Sequence, residues 1–536
     1  MRARVWRWTV VVASLLSFLT AAGARLDGAA SLAYKGIAYA GWSAEGYSNA
    51  SSDLALSHVA ETGADWISLV VTAYQDTLAS TTIYRTEGTP TDEGLVRAMA
   101  AARALGLKVM LKPHIDLWRD PEHWRGEIGT AFDAEDKWRA WFSSYRALLE
   151  HFAALAEAHG AGMLCVGTEL EGTSRREAEW RSVIDAVRAI YHGPLIYASN
   201  HSGEESRLTW WDAVDLIGVD AYYALTDHPD PTAGDLAEGW SSPRERLAGL
   251  ASRWGKSIVF TEIGYRSISG TASHPWDWQI EGELDLEEQA AAYQAAYGAF
   301  VDEPWFAGFF WWSWDPDAFT GGKCDTGFGP HDKPAEALLR SWYGAATPWR
   351  PEPPLEADHS RVLSIYADSL DSGWEDRSWG AEVDLGSTER AAEGSRSIAV
   401  RLDPWGALSF ARTAFAPDPD LRLVELAVYV PAGEPPALSI SLYDQDGNEL
   451  GRRPLDDCRY LEGEARALVP GAWNWIRVPL RHLAAAGASL TRICFEDLSG
   501  RGSGEFWMDE ISFTGASPVR EKGPREKTPL DDMRRR

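Results

Sequence analysis

"MLCVGTELEG", residues 163–172, sets four apolar residues, Met163 to Val166, directly before Gly-Thr and two carboxylates, Glu169 and Glu171. A short apolar run reads as a buried strand, and a buried strand that ends on carboxylates needs a reason. Upstream lies a stretch of helical periodicity, "DKWRAWFSSYRALLEHFAALAEAHG" (136–160), and downstream a second strand candidate, "PLIYASN" (194–200). Strands alternating with helices in this way predict βα units and a parallel sheet.

The same alternation runs outward in both directions. Further strand candidates are "KGIAYAGW" (35–42), "DWISLVVTAY" (65–74), "KVMLKPH" (108–114), "DLIGVDAYY" (215–223), "SIVFTEIGY" (257–265) and "GFFWWSWD" (308–315), which makes eight in all. Helix candidates between them include "EGLVRAMAAARALG" (93–106) and "LEEQAAAYQAAYGAFV" (286–301). Eight repeats predict an α/β chain whose residues 33–345 form a (β/α)8 TIM barrel. No glycine fingerprint for a dinucleotide or nucleoside triphosphate occurs in this span, and no cofactor is expected.

Proline-rich "ATPWRPEPPLEADHS" (346–360) breaks the rhythm and reads as a linker. Short alternating runs follow, among them "RSIAVRL" (396–402), "RLVELAVYV" (422–430) and "FWMDEISF" (506–513), without helical interludes. They predict an all-β jelly roll or sandwich over 361–516. Residues 517–536, charged and free of aromatics, read as a disordered tail.

At the other end, Arg2, Arg4 and Arg7, an apolar segment and "AGA" (22–24) read as a signal peptide over 1–24, so the protein is expected to be secreted or periplasmic, with no membrane attachment after cleavage. The four cysteines read as buried or free thiols, with Cys458 and Cys494 the one pairing left open. A net charge of −28 argues against nucleic acid and anionic membranes as partners. The 27 tryptophans outnumber 18 tyrosines and 16 phenylalanines, and suggest platforms for an uncharged ligand. Neutral polysaccharide fits both facts; a monomer is expected.

In such a barrel, residues at the C-terminal strand ends face the site. Strand four ends in Thr168-Glu169, strand seven in Thr261-Glu262, strand three in His114 with Asp116 beyond, strand six in Tyr222-Tyr223, strand one in Trp42 and strand eight in "WWSWDPD" (311–317). Strands four and seven face each other across the mouth, which makes Glu169 and Glu262 the natural pair of carboxylates for glycosidic bond cleavage. Tyr222, beside strand seven, is placed to donate to Glu262. Trp312 is expected to floor a sugar ring with Trp42 and Trp314 beside it, while alternation turns Trp311 toward the helices. Glu171, beyond the strand end, reads as a rim residue. No further His or Cys stands at ligand spacing near His114 and Asp116, so no metal is expected there.

With these residues in place, "KPHIDLW" (112–118), "WRGEI" (124–128), "GTEL" (167–170), "DAYY" (220–223), "TEIGY" (261–265) and "FWWSWDPD" (310–317) resemble glycoside hydrolase family 113 of the clan A retaining glycosidases, known chiefly for endo-β-1,4-mannanases. The resemblance implies that Glu169 is the general acid/base and Glu262 the nucleophile, acting on β-mannan, and that His114 and Asp116 bond sugar hydroxyls. One departure is Thr168, where most clan members carry an Asn that binds the sugar 2-hydroxyl. Action on another β-glycan such as glucan or galactan, and non-catalytic glycan binding, remain alternatives. The β-domain is similar to carbohydrate-binding jelly rolls through "FWMDEISF" and its strand count, with Trp374, Trp379 and Trp405 as candidate platforms; a stability or spacer domain without a ligand is the alternative.

Overall fold

In the computed structural model of the chain, the described residues are 32–350, 355–433, 435–463, 465–485 and 487–518. The leader read at 1–24 and the tail beyond Pro518 lie outside them. Two compact units divide between Pro351 and Glu352.

In the first unit, β1 (Tyr34–Ala40), β2 (Trp66–Gln75), β3 (Lys108–Leu117), β4 (Met163–Thr168), β5 (Leu195–Asn200), β6 (Leu216–Asp220), β7 (Ile258–Ile263) and β8 (Phe306–Trp314) close a parallel barrel in sequence order. Helices α1 (Ala50–Glu61), α2 (Asp92–Ala104), α3 (Glu135–Ala158), α4 (Glu177–Arg188), α5 (Ser241–Trp254) and α6 (Leu286–Phe300) fill six of the seven crossovers, and α7 (Pro334–Tyr343) follows β8. Side-chain caps start several of them: Thr91 accepts from Gly94 N, and Asp285 from Glu287 N and Glu288 N. Between β5 and β6 the chain makes only single turns, Glu204–Arg207 and Trp211–Ala213. Fully buried Trp210 and Trp211 occupy that region, with Trp210 stacked on Trp180 at 5.2 Å.

Strand alternation divides the barrel interior into layers. Trp66, Met110, Met163, Cys165, Ile196, Ala198, Val259 and Phe310 form one buried apolar cluster. Close packing there explains Gly36: a Cβ at that position would lie 2.3 Å from the Phe310 ring. Two residues further along β3, Lys112 begins the polar layer that carries the site.

Outside the strands the aromatic packing is dense. Trp180 on α4 is fully buried, donates its indole N–H to Thr173 O at 3.1 Å and packs on Tyr145, Tyr197 and Trp210. Trp180→Ala is expected to cost about 3–5 kcal/mol, because it leaves a large cavity and an unpaired carbonyl. Denaturant unfolding of the two proteins measures this; a loss below ~1 kcal/mol would mean that the neighbouring rings collapse into the space.

The second unit is antiparallel throughout, with β9 (Leu355–Ala367), β10 (Ser369–Leu370), β11 (Glu375–Asp376), β12 (Trp379–Ser387), β13 (Ser397–Phe415), β14 (Leu421–Val430), β15 (Leu438–Tyr443), β16 (Glu449–Pro454), β17 (Ala472–Pro479), β18 (Leu490–Asp497) and β19 (Phe506–Pro518). They join in one hydrogen-bonded network in which β19 pairs with β9, β13 and β14. A separate apolar core, including Phe410, Leu426, Ile476 and Phe513, fills its inner face. Residues 355–360, read as linker, fall within β9, where 355–358 pair with β19, and Ser517 and Pro518, read as tail, extend β19. The reason is backbone pairing: residues without apolar pattern are held by the ladder itself.

Cys494 carries a free, buried thiol that donates to Ser409 Oγ at 3.3 Å, so no bridge joins it to Cys458. Cys165 is also free and sits in the barrel's apolar layer. The free-thiol reading does not extend to Cys324 and Cys458. Among the described residues no helix is long and apolar enough to cross a membrane.

Candidate active site

The C-terminal strand ends converge on a layer of charges that the barrel buries. Lys112, with no solvent exposure, reaches from β3 to Asp220 of β6 at 3.2 Å and to Glu262 Oε1 of β7. Thr261 Oγ1 donates to Asp220 at 2.7 Å, and Tyr222 O–H donates to Glu262 Oε2 at 2.8 Å, as its position suggested. Burial opposes charge on Lys112, but the two carboxylates outweigh it and raise its pKa. Burial and then the Glu262 charge push Asp220 well above the usual carboxylate range, against the pull of Lys112.

Glu169 stands across the mouth, first residue past β4, in the left-handed region at φ 53°. Its side chain is 14% exposed. Asn200 Nδ2 at the end of β5 donates to Oε1 at 2.7 Å, and Arg125 Nη1 lies 4.0 Å from Oε2. Asn200 is itself positioned by buried Glu204, whose carboxylate accepts its backbone N–H at 2.8 Å. Burial lifts the Glu169 pKa to about 7; Arg125, Lys112 and the Asn200 bond pull it down, while the Glu262 charge pushes up. The carboxyl therefore holds a proton near neutrality.

A relay of side chains joins the two glutamates. Arg125 Nη1 is 2.8 Å from His114 Nδ1. Because an arginine only donates, Nδ1 accepts and the ring proton is on Nε2, which lies 3.5 Å from Glu262 Oε1. Burial first, then Arg125 and Lys112, holds the His114 pKa well below the ordinary value, so the imidazole is neutral. Its buried Nε2–H has no hydrogen-bond partner among the described residues. Trp312 lies nearly parallel to this ring at 6.1 Å, and Trp42, 48% exposed, sits 6.2 Å from Trp312.

Both oxygens of Asp116 accept from Arg125, at 3.2 and 3.0 Å, so Asp116 fixes the guanidinium that reaches toward Glu169. Two expected contacts stand elsewhere. Thr168 is 1% exposed and points its hydroxyl at Pro113 O, 3.4 Å away, so it cannot stand in for the absent Asn. Trp314 is 2% exposed and packs on His331 at 4.8 Å; it is core, not platform. A register shift explains this: Ile37 pairs with Trp311 but Tyr39 with Trp314, so β8 gains one residue and the alternation reverses. Trp311 does face the helices, 3.6 Å from the Tyr293 ring, and Glu171 pairs with Arg207 at the rim.

Lys112, Asp220, Arg125 and Asn200 were missed as site residues. A charged residue inside an apolar run, "VMLKPH" or "LIGVD", was the available signal for the first two, and the strand end of "PLIYASN" for Asn200. Away from the cleft, His331, Asp332 and Glu336 bring ligand atoms within 4.8 Å of one another, but Glu336 already accepts from Asp332 N and Arg340.

Lys112 supplies a test of this layer. Lys112→Met leaves two buried carboxylates without their cation and is expected to destabilise the barrel by about 3–5 kcal/mol at pH 7. Asp220 already has a raised folded pKa, so its protonated form favours folding and its ionisation opposes it. The deficit should therefore shrink as pH falls from 7 toward about 4, the unfolded carboxylate range. Urea unfolding at several pH values reads this slope; a pH-independent deficit would contradict it.

Similarity to known proteins agrees with this geometry. The model of Glycoside Hydrolase Family 113 matches residues 38–333. Among solved structures, the GH113 β-mannanase AaManA from Alicyclobacillus acidocaldarius, determined in complex with ManMIm, is 30% identical, with a TM-score of 0.53 over 59% of this chain and 99% of that one. A GH113 β-1,4-mannanase determined as a complex is 28% identical, with a TM-score of 0.53 over 59% of this chain and 100% of that one. No curated protein matches the chain. The paired glutamates thus stand in a barrel of known kind, and the chain belongs to glycoside hydrolase family 113.

Proposed function

We propose that the barrel hydrolyses β-1,4-mannosidic bonds of mannan or manno-oligosaccharides by double displacement with retention. The observation that carries the mechanism is the unlike setting of the two carboxylates. Glu169, with its pKa raised to about 7, is a proton donor. Glu262, held by Lys112 and Tyr222, is an oriented carboxylate nucleophile. In the first step Glu262 attacks the anomeric carbon, the glycosidic C–O bond breaks, and Glu169 gives its proton to the leaving oxygen. In the second step Glu169 takes a proton from water, which attacks the same carbon and frees Glu262.

Mannan as the substrate rests on the GH113 relatives, which are described as β-mannanases at 28–30% identity. Trp312, with Trp42 beside it, is the surface on which we place the sugar ring, under the Nε2–H of His114. The leader sequence makes this an exported enzyme in our reading, working without a cofactor. The test is to give the purified protein mannan, β-glucan and galactan, and to follow manno-oligosaccharide cleavage by proton NMR. Release of β-anomers from mannan substrates is expected. An α-anomer appearing first would overturn the covalent step, and cleavage confined to glucan or galactan would overturn the substrate.

A further inference from the structure

In the β-unit, two exposed tryptophans stand together outside any part of the catalytic machinery. Trp405 is 68% exposed and Trp379 41%, and the Trp379 indole N–H donates to Trp405 O at 3.2 Å. Trp374, the third candidate platform, is 5% exposed and belongs to the core, stacked toward Phe513.

The pair is held rigidly. On β12 the pairing passes from Trp379 to Ala381, while on β13 it jumps from Ala407 to Leu402, so Asp403, Pro404, Trp405 and Gly406 bulge out of the ladder. Trp405 takes φ +62°, a left-handed conformation costly for a side chain of this size. Buried Asp497 secures it: Oδ2 accepts from Trp405 N at 3.2 Å and Gly502 N at 3.0 Å, while Oδ1 accepts from Ser499 N and Oγ at 2.9 and 2.6 Å. One edge of the Trp405 indole rests on Gly500, where a Cβ would come within 2.4 Å of the ring. A bulge, a strained residue and a buried carboxylate together hold an indole out in water, where its apolar surface gains nothing in the free protein.

From this geometry we propose that Trp379 and Trp405 form a second, non-catalytic binding site for a neutral β-glycan chain. The ring of a pyranose has an apolar C–H face that stacks on indole and equatorial hydroxyls that bond polar groups, and exposed Asp403 and Arg501 flank the pair. A charge of −28 on the chain disfavours polyanionic ligands. Two tryptophans cover roughly 300–500 Å² at most, well short of the ~1,200 Å² of a stable protein interface. A polymer bound here would keep the enzyme on its substrate between cleavages.

Affinity electrophoresis of the full chain in gels containing mannan, glucomannan, cellulose derivatives or galactan tests the proposal without reference to hydrolysis. Both arms carry Glu262→Ala and Trp312→Ala, so the polysaccharide is not digested and the cleft contributes little. Retardation by at least one of these glycans is expected, weakened tenfold or more in Kd by Trp405→Ala with Trp379→Ala, and largely restored by Phe at both positions. Mobility unchanged by every glycan, or retardation equal with and without the two indoles, would overturn the site. Either result is independent of whether the barrel cleaves mannan.

Discussion

Replacing Glu262 by alanine is expected to cut hydrolysis of manno-oligosaccharides by at least about 10⁴-fold, because the covalent intermediate can no longer form. The fold should survive. Lys112 keeps Asp220 as its partner, so removal of Glu262 turns a cation between two carboxylates into a one-to-one pair. Added azide separates this role from every other. In Glu262→Ala the small anion enters the space left by the nucleophile, attacks the α face with Glu169 still protonating the leaving group, and gives an α-mannosyl azide. In Glu169→Ala the covalent intermediate still forms, and azide then attacks from the β face to give the β-azide. Exchanged stereochemistry between the two variants would reverse the assignments.

Why these two glutamates were legible in the sequence, and their neighbours less so, follows from how barrels place charge. A carboxylate at the end of an apolar strand is conspicuous, so Glu169 and Glu262 stood out, and eight strand and helix repeats supplied the frame. Helices with strong periodicity were read to within two residues, as in 286–301 against Leu286–Phe300. What failed was the period of two at strand ends. Register shifts occur where β4 meets β5, where β6 meets β7 and where β8 meets β1. Each adds or removes a residue beside the site, and each turns the next side chain to the other face. Trp314 was lost to the core in this way. Arg125 was hidden for a different reason: it comes from the loop after β3, and only the folded chain shows that it takes both oxygens of Asp116. The missing β5 to β6 helix was equally silent, because two buried indoles filling a gap look like any other tryptophans in a sequence.

The second large effect concerns Glu169 and pH. As the acid, Glu169 must be protonated in the free enzyme, so kcat/KM should fall about tenfold per pH unit above its pKa of about 7. Glu169→Ala is expected to lose about 10²–10⁴-fold on substrates whose leaving group needs the proton, and far less in the first step on an aryl mannoside with a strongly acidic phenol. The alkaline limb itself should vanish in this variant. Its position in the wild type can be moved predictably. Asn200 donates to the charged form of Glu169, so Asn200→Ala removes a bond of roughly 1.5 kcal/mol and should shift the limb upward by about one unit. Removing the Glu262 charge should shift it the other way, since that charge opposes ionisation of Glu169. NMR titration of the Glu169 carboxyl in Glu262→Gln reads this directly, and a pKa unchanged from the wild type would show that the two carboxylates do not share a field. The direction of the two shifts matters more than their size: a nearby donor and a nearby like charge act on the same proton with opposite sign, and only a carboxyl buried between them responds to both.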